Sequence, residues 1–523
     1  MTFSLRQAGV VAGAVFATVA QVSAGSSLTV HTETGIFTGL QNKDFTGVRE
    51  FRNIPFAQPP VGSLRFQPPQ RLPSSKQHHY STRFPPSCPQ FVSSGESFWN
   101  LFVPYLQPVN GNQNHSTGLS LQTASEDCLS LAIWTPYDVP VDAKLPVAFF
   151  MTGGGLQTNG VDVPGQIPAP WVNRSQEHIV VTINYRLNIF GFPNARALDS
   201  PNPAILDQRL ALEWVHENIA AFGGDPESIM MWGQSAGAMS TDIHNYAFWE
   251  NPIVHGSFSQ SGTAMSLPSV FSSDYSHSNF TTVAKNLGCD FPDDATAELE
   301  CMQQVPVDLI ENFIGQYDGP ASLSFDPIPD EILIFSNYSA RAAAGKISHR
   351  PAIFSTTGNE YGSLYTWPSS NVTAGPYQPF VNAGTLAAFI CPTAKTSIFR
   401  ERANLTTYRY QYAGVWPNQN PYSWLGAYHS SDLMMNFGTY FYNRTNSTAG
   451  PTAMEIRTSE AMQDHILAFM KDPENGPPAI GWNPYTYGAN VVRFGANGVP
   501  VQNVSGYAID GPCYGDGIYN PFP

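Results

Sequence analysis

Between residues 145 and 235 the chain alternates short, unbroken apolar runs with one stretch of helical spacing, and this rhythm suggests the architecture. Pro146-Val147-Ala148-Phe149-Phe150-Met151 and Ile179-Val180-Val181-Thr182-Ile183 show no polar alternation, as expected of parallel strands covered on both faces. From Leu206 to Ala221, Leu206, Leu210, Leu212 and Ile219 follow a helical spacing, and Gly223-Gly224 supplies a stop. A further run, Ser228-Ile229-Met230-Met231-Trp232, follows it. The order predicts an α/β fold with a large, mostly parallel central sheet flanked by helices. Active sites of such folds lie beyond the carboxyl ends of the strands.

Composition narrows the class further. The 523 residues include 43 Gly and 44 Pro but only 12% charged residues, which describes a globular, loop-rich chain. No repeat, low-complexity tract or long polar linker divides it. A net charge of −15 repels phosphate backbones and anionic lipid, and no basic patch with interleaved aromatics is present, so no nucleic acid partner is expected. No feature sets an oligomeric state.

Arg6, the apolar stretch from Ala8 to Ala20 and the small-residue site Val22-Ser23-Ala24 form the three parts of a secretory signal. Residues 1–24 are therefore expected to be a signal peptide, residues 25–523 a single domain, and the mature protein secreted and extracellular. The apolar core is shorter than the about 20 residues a membrane span needs, and the chain ends without a hydrophobic tail, so no stable membrane anchor is expected. Six cysteines in such a chain suggest disulfides. Their order along the sequence suggests Cys88 with Cys128, Cys289 with Cys301 and Cys391 with Cys513, although other connectivities are formally open. No Cys/His spacing favours zinc, so no metal and no cofactor are expected. Nine N-x-S/T sequons, at Asn114, Asn173, Asn279, Asn337, Asn371, Asn404, Asn443, Asn446 and Asn503, are glycosylation candidates that fit the same compartment.

The chemistry concentrates directly after Trp232. Gly233-Gln234-Ser235-Ala236-Gly237 is a G-x-S-x-G pattern at a predicted strand-to-helix turn, which would hold Ser235 exposed at the sheet edge. A serine hydroxyl is a weak nucleophile at neutral pH, so it needs a base, an acid behind the base and donors for an oxyanion. Gly153-Gly154-Gly155 follows a predicted strand, and residues without side chains let backbone N–H groups approach a substrate. A plain glycine-rich turn is the competing reading. Ala236, opening the helix after Ser235, would add another N–H.

Several segments then carry a resemblance to the type B carboxylesterase/lipase family, the cholinesterase-like branch of the α/β-hydrolases that includes fungal secreted lipases. They are Phe51-Arg52-Asn53-Ile54-Pro55-Phe56-Ala57-Gln58-Pro59-Pro60-Val61-Gly62, Ser125-Glu126-Asp127-Cys128-Leu129, Asn184-Tyr185-Arg186, Asp207-Gln208-Arg209, Phe222-Gly223-Gly224-Asp225-Pro226, the Ser235 motif and Gln260-Ser261-Gly262. The resemblance runs from about residue 26 to the end.

It implies that Glu360, in Phe354-Ser355-Thr356-Thr357-Gly358-Asn359-Glu360, is the acid of a catalytic triad. It likewise implies that His429, in Leu425-Gly426-Ala427-Tyr428-His429, is the base. Here Tyr361 intervenes before Gly362, where the family usually places glycine directly after its glutamate. Asp330 and Glu331 are alternative acids and His216 an alternative base, each better read as a solvated charge. Gly154, Gly155 and Ala236 would form the oxyanion hole, Ser261 would support Glu360, and Asp432 would organise the His429 loop.

The chain also departs from the family's pattern. Thr152 precedes the glycine triplet where His or Tyr is usual, and Leu156 follows it where an aromatic often stands. Glu360 and His429 lie 69 positions apart, a shortened stretch that implies a more open site. The Cys88–Cys128 loop holds Phe98, Trp99, Phe102 and Tyr105. Thr152, Leu156 and Trp99 are therefore the candidate substrate-pocket residues. The resemblance implies a secreted serine ester hydrolase for a small-molecule or lipid ester, working through an acyl-enzyme. An acyltransferase or secondary-metabolism tailoring enzyme would use the same triad, and a non-catalytic adhesion homologue would have no use for it.

Overall fold

The computed structural model describes residues 27–523 except 93–97, 104–118, 121–123, 320–322, 367, 369 and 442–449. The signal segment 1–24, Tyr105, Asn114, Asn443 and Asn446 lie outside the described residues.

Eleven strands form one sheet. In chain order they are β1 Leu40–Gln41, β2 Val48–Pro55, β3 Ser130–Pro136, β4 Leu145–Met151, β5 Ile179–Ile183, β6 Gly224–Gln234, β7 Gly256–Gln260, β8 Ala352–Thr357, β9 Thr407–Tyr412, β10 Asn490–Phe494 and β11 Val501–Ser505. Their spatial order is β11-β10-β9-β8-β7-β6-β4-β5-β3-β2-β1. Every pairing from β5 across to β10 is parallel. The pairings at the two ends are antiparallel. This is the α/β-hydrolase architecture, with its parallel strands in the middle.

The unbroken apolar runs have a simple cause, since successive side chains enter different cores. Val147, Phe149, Met151, Val181, Ile229 and Met231 pack into one apolar cluster. Ala148, Phe150, Val180, Met230 and Trp232 pack into the other, on the opposite face. Helices α1 Pro203–Asn218 and α2 Ala236–Ala247 cover the first face through Leu210, Ala211, Met239 and Ile243. Of the later helices, α3 Gln378–Thr385, α4 Cys391–Arg402, α5 Leu433–Phe437 and α6 Ala453–Lys471, the last two cover the second face through Met434, Phe437, Met462 and Phe469.

Helix α1 starts three residues before the predicted Leu206, because Pro203 suits a first helical turn whose N–H needs no partner. It tightens into a 3₁₀ turn, Ile219–Phe222, and Gly223 ends it at φ +92°. Arg186, just past β5, makes a two-pronged pair with Asp207 of α1, at 2.6 and 2.8 Å, with both residues buried. That pair ties the strand's exit to the helix leading to Ser235.

Disulfides join Cys88 to Cys128, Cys289 to Cys301 and Cys391 to Cys513, the pairs suggested by order along the chain. Among the described residues no helix is long and apolar enough to cross a membrane. Asn337, Asn371, Asn404 and Asn503 are exposed, whereas Asn279 donates its amide nitrogen to the Ser324 carbonyl at 2.7 Å.

Candidate active site

Strand β6 delivers Ser235 to a turn that only small neighbours permit. Ser235 has φ +58° and ψ −122°, and α2 begins at the next residue. A Cβ on Gly233 would lie 2.1 Å from the Gly237 carbonyl oxygen, and one on Gly237 2.1 Å from that of Met151. Both glycines are therefore dictated by close backbone approach. The Ser235 N–H donates to the Gln260 carbonyl at 2.9 Å, which pins the turn to β7.

The glycine loop after β4 lies against this turn, since a Cβ on Gly153 would come within 2.9 Å of Ser235 Cβ. Gly154 and Gly155 adopt φ +112° and +64°. Among the described residues no acceptor takes the N–H of Gly154, Gly155 or Ala236. For Ala236 this follows from its place in the first turn of α2, where helical N–H groups have no partner within the helix.

Glu360 sits just past the end of β8, fully buried. Its Oε2 accepts from His429 Nδ1 at 2.6 Å, and its Oε1 accepts from Ser261 Oγ at 2.7 Å and the Thr357 N–H at 2.6 Å. Asn359 stitches the two loops together. Its N–H donates to the Ala427 carbonyl, and its side-chain amide donates to the carbonyls of Trp424 and Leu425. His429 therefore carries its proton on Nδ1, leaving Nε2 an acceptor, with the Gln234 side-chain amide 3.2 Å from it. Asp432, three residues on, is buried and pushed up to about 7, first by burial and then by the neighbouring Glu360 charge. Tyr410 Oη donates to it at 3.4 Å.

The alternative residues have other duties. Asp330 Oδ1 accepts the N–H groups of Ile332, Leu333 and Ile334 in a loop. Glu331 Oε1 accepts that of Ser336. His216 faces Glu227 on the polar side of α1.

Residues 26–375 match the family described as the Carboxylesterase family. The chain is 37% identical to a chlorogenic acid esterase of Aspergillus niger over 511 residues, 94% of each chain. It is 36% identical to secreted lipase 5 of Gibberella zeae, over 87% of this chain and 88% of that one. A mouse cholinesterase is 32% identical over 58% of this chain and 48% of its own. The chain belongs to the carboxylesterase family.

In this carboxylesterase a cavity of about 190 Å³ adjoins the serine turn. Ser235, His429, Gly154 and Gly155 line it, together with Trp99, Thr158, Asn159, Gln166, Gln234, Leu364 and Ser430. Trp99 is among these lining residues, and Thr152 and Leu156 are not. Thr152 is 1% exposed and turns its hydroxyl to Gln166 Oε1 at 2.8 Å, behind the wall. Leu156, at φ +62°, is directed into the apolar core on the α1 face. Adjacency to the glycine triplet does not decide which way a side chain points.

Three features of this carboxylesterase's site were not legible in the sequence. Gln234, the variable position of the serine motif, is 2% exposed and places its amide nitrogen 3.2 Å from His429 Nε2. Phe389 packs its ring on the His429 imidazole at 4.9 Å between centroids. It reaches there from a π-helical turn, Leu386–Ile390, joining α3 to α4, and such turns are common at functional sites. Asn159 and Gln166, the latter closing the 3₁₀ turn Pro164–Gln166, also line the cavity. No pattern in the sequence marked either residue.

Proposed function

We propose that the protein is a secreted serine ester hydrolase working through Ser235, His429 and Glu360 by way of an acyl-enzyme. His429 Nε2 accepts the Ser235 proton as Oγ attacks the ester carbonyl carbon. The tetrahedral oxyanion takes the N–H groups of Gly154, Gly155 and Ala236, which no protein acceptor among the described residues uses. The imidazolium returns its proton to the departing alcohol. Water, deprotonated by the same imidazole, then attacks the acyl-enzyme and releases the acid. Glu360, with three hydrogen bonds to its carboxylate, fixes the Nδ1–H tautomer and balances the imidazolium charge.

The observation that carries this reading is the 2.6 Å His429–Glu360 hydrogen bond beside the unpaired N–H groups at Ser235. The cavity's modest volume, with Trp99 in its wall, favours compact or aromatic acyl esters over long-chain lipids. The Aspergillus niger relative, a chlorogenic acid esterase, points the same way. Secretion agrees with the N-terminal signal pattern, with three disulfides and with relatives named as secreted. We take residues 25–523 as one catalytic domain. An ester panel from acetyl to long-chain and aromatic acyl groups, with Ser235→Ala as blank, tests the reading. The variant should lose roughly 10⁴-fold or more of its turnover. Wild-type turnover in it would refute the assignment.

A further inference from the structure

The segment that follows the Cys391–Cys513 disulfide crosses the two loops that carry Glu360 and His429. From Tyr514 to Ile518 it lies exposed, and beyond that it buries only Tyr519 and Pro521. Both of these meet the loop of the acid. Tyr519 Oη donates to the Gly358 carbonyl at 2.6 Å, and a Cβ on Gly358 would lie 3.1 Å from the Pro521 carbonyl oxygen. Phe522 meets the loop of the base instead. A Cβ on Gly426, at φ +54°, would lie 2.8 Å from Cε1 of the Phe522 ring and 3.3 Å from Asn359 Cβ, so Gly426 is enclosed between the two.

These contacts fall where small shifts reach the triad. The Gly358 N–H donates to the Tyr412 carbonyl at 2.8 Å, so the sheet holds one side of Gly358 and Tyr519 the other. Without the phenol, that buried carbonyl would lose its donor, which is costly. Burial, with the Glu360 charge nearby, pushes the Tyr519 phenol well up and keeps it protonated as a donor. The turn from Thr357 to Glu360 has little slack, because Glu360 Oε1 itself accepts the Thr357 N–H at 2.6 Å. Movement at Gly358 is therefore passed to the carboxylate that orients His429 Nδ1.

We propose that Tyr519 is a positioning residue: its hydrogen bond to Gly358, with Phe522 seated on Gly426, clamps the Glu360 loop against the His429 loop and keeps the acid on the base. Neither residue lines the cavity, so both act through the triad. The inference rests on the serine hydrolase reading above.

The test compares kcat, KM and the pH dependence of kcat/KM for full-length wild type and Tyr519→Phe on one chromogenic ester. The variant should lose roughly tenfold in kcat, with KM within about twofold of wild type. Glu360 and Asp432 are the charged groups facing His429, with the neutral Gln234 amide on Nε2 and the Phe389 ring beside it. Of these only Glu360 lies on the clamped turn. Loosening it weakens the support for the imidazolium, so the acid limb should move down by about half a pH unit. An unchanged kcat, or a lower kcat with an unmoved limb, overturns the proposal. So does an equal loss in Ile518→Ala, whose side chain is 95% exposed and holds neither loop. Should Tyr519→Phe not fold, Phe522→Ala, at a half-exposed ring, must lower kcat about threefold or more and move the limb the same way; wild-type behaviour there also overturns the proposal. Failure of the hydrolase reading looks different, since the wild type itself would then cleave no ester.

Discussion

Gln234 donates its side-chain amide to His429 Nε2 at 3.2 Å, on the imidazole nitrogen opposite the one held by Glu360. The imidazole is therefore gripped at both ends, by a carboxylate on Nδ1 and by a neutral amide on Nε2. The neutral amide matters. On the triad reading, the amide's hydrogen bond to the Nε2 lone pair has to give way to the Ser235 hydroxyl, whereas a carboxylate there would favour the imidazolium, in which Nε2 has no lone pair at all. In Gln234→Glu, the acid limb of the kcat/KM profile should move up by about 1 pH unit. A pH–rate profile with an unmoved limb would show that Gln234 does not tune the base.

Ser261 Oγ is one of three donors on the buried Glu360 carboxylate. Hydrogen bonds to charged groups contribute about 1.5–3 kcal/mol, and the Thr357 N–H would remain. Ser261→Ala should therefore lower kcat roughly tenfold while KM changes little. Steady-state kinetics on one chromogenic ester would show it, and an equal fall in affinity would point to a different role.

Glu311 is buried and pushed up to about 8 by burial, against an ordinary value near 4.5. A raised folded-state value means that its neutral form supports the fold below about 4.5 and that this support is lost as pH rises through about 8. His178 and His244 act in the opposite sense. Burial depresses both from 6.5 to about 3, so their contribution is lost as pH falls below 6.5. Above 6.5 the carboxyl effect is unopposed and is joined by Asp432 near 7. Thermal stability should fall between pH 6.5 and 8.5, and Glu311→Gln should recover about 2 kcal/mol of it, or about 2 °C in Tm. Parallel melting curves of wild type and variant across that range would refute the assignment.

The glycines around Ser235 separate two kinds of constraint. At Gly233 a Cβ would strike backbone 2.1 Å away, whereas at Gly155 nothing lies within 4 Å and only the φ of +64° opposes a side chain. Gly233→Ala should lose more than about 4 kcal/mol or fail to fold. Gly155→Ala should cost about 1–2 kcal/mol. Denaturant titrations that ranked the two the other way would refute the account of the turn.

Where the sequence could be read, the signal was local. The runs at β4, β5 and β6 were legible because both sheet faces are covered, and the motif around Ser235 because backbone contact forces its glycines. Edge strand β11 was not, since Val501–Ser505 alternates between exposed and half-buried positions with no apolar run. Side-chain direction was the other loss. Leu156 follows the glycine triplet in sequence but turns into the core at its positive φ, while Phe389 reaches His429 from a π turn. Neither follows from spacing.

The central claim is that Ser235 is the nucleophile of an assembled triad. Intact-mass measurement after treatment with a fluorophosphonate tests it most directly. The wild-type protein should gain one adduct, mapped by peptide sequencing to Ser235 and accompanied by loss of ester hydrolysis, and Ser235→Ala should gain none. Absence of labelling in the wild type, or undiminished labelling in Ser235→Ala, would contradict the account.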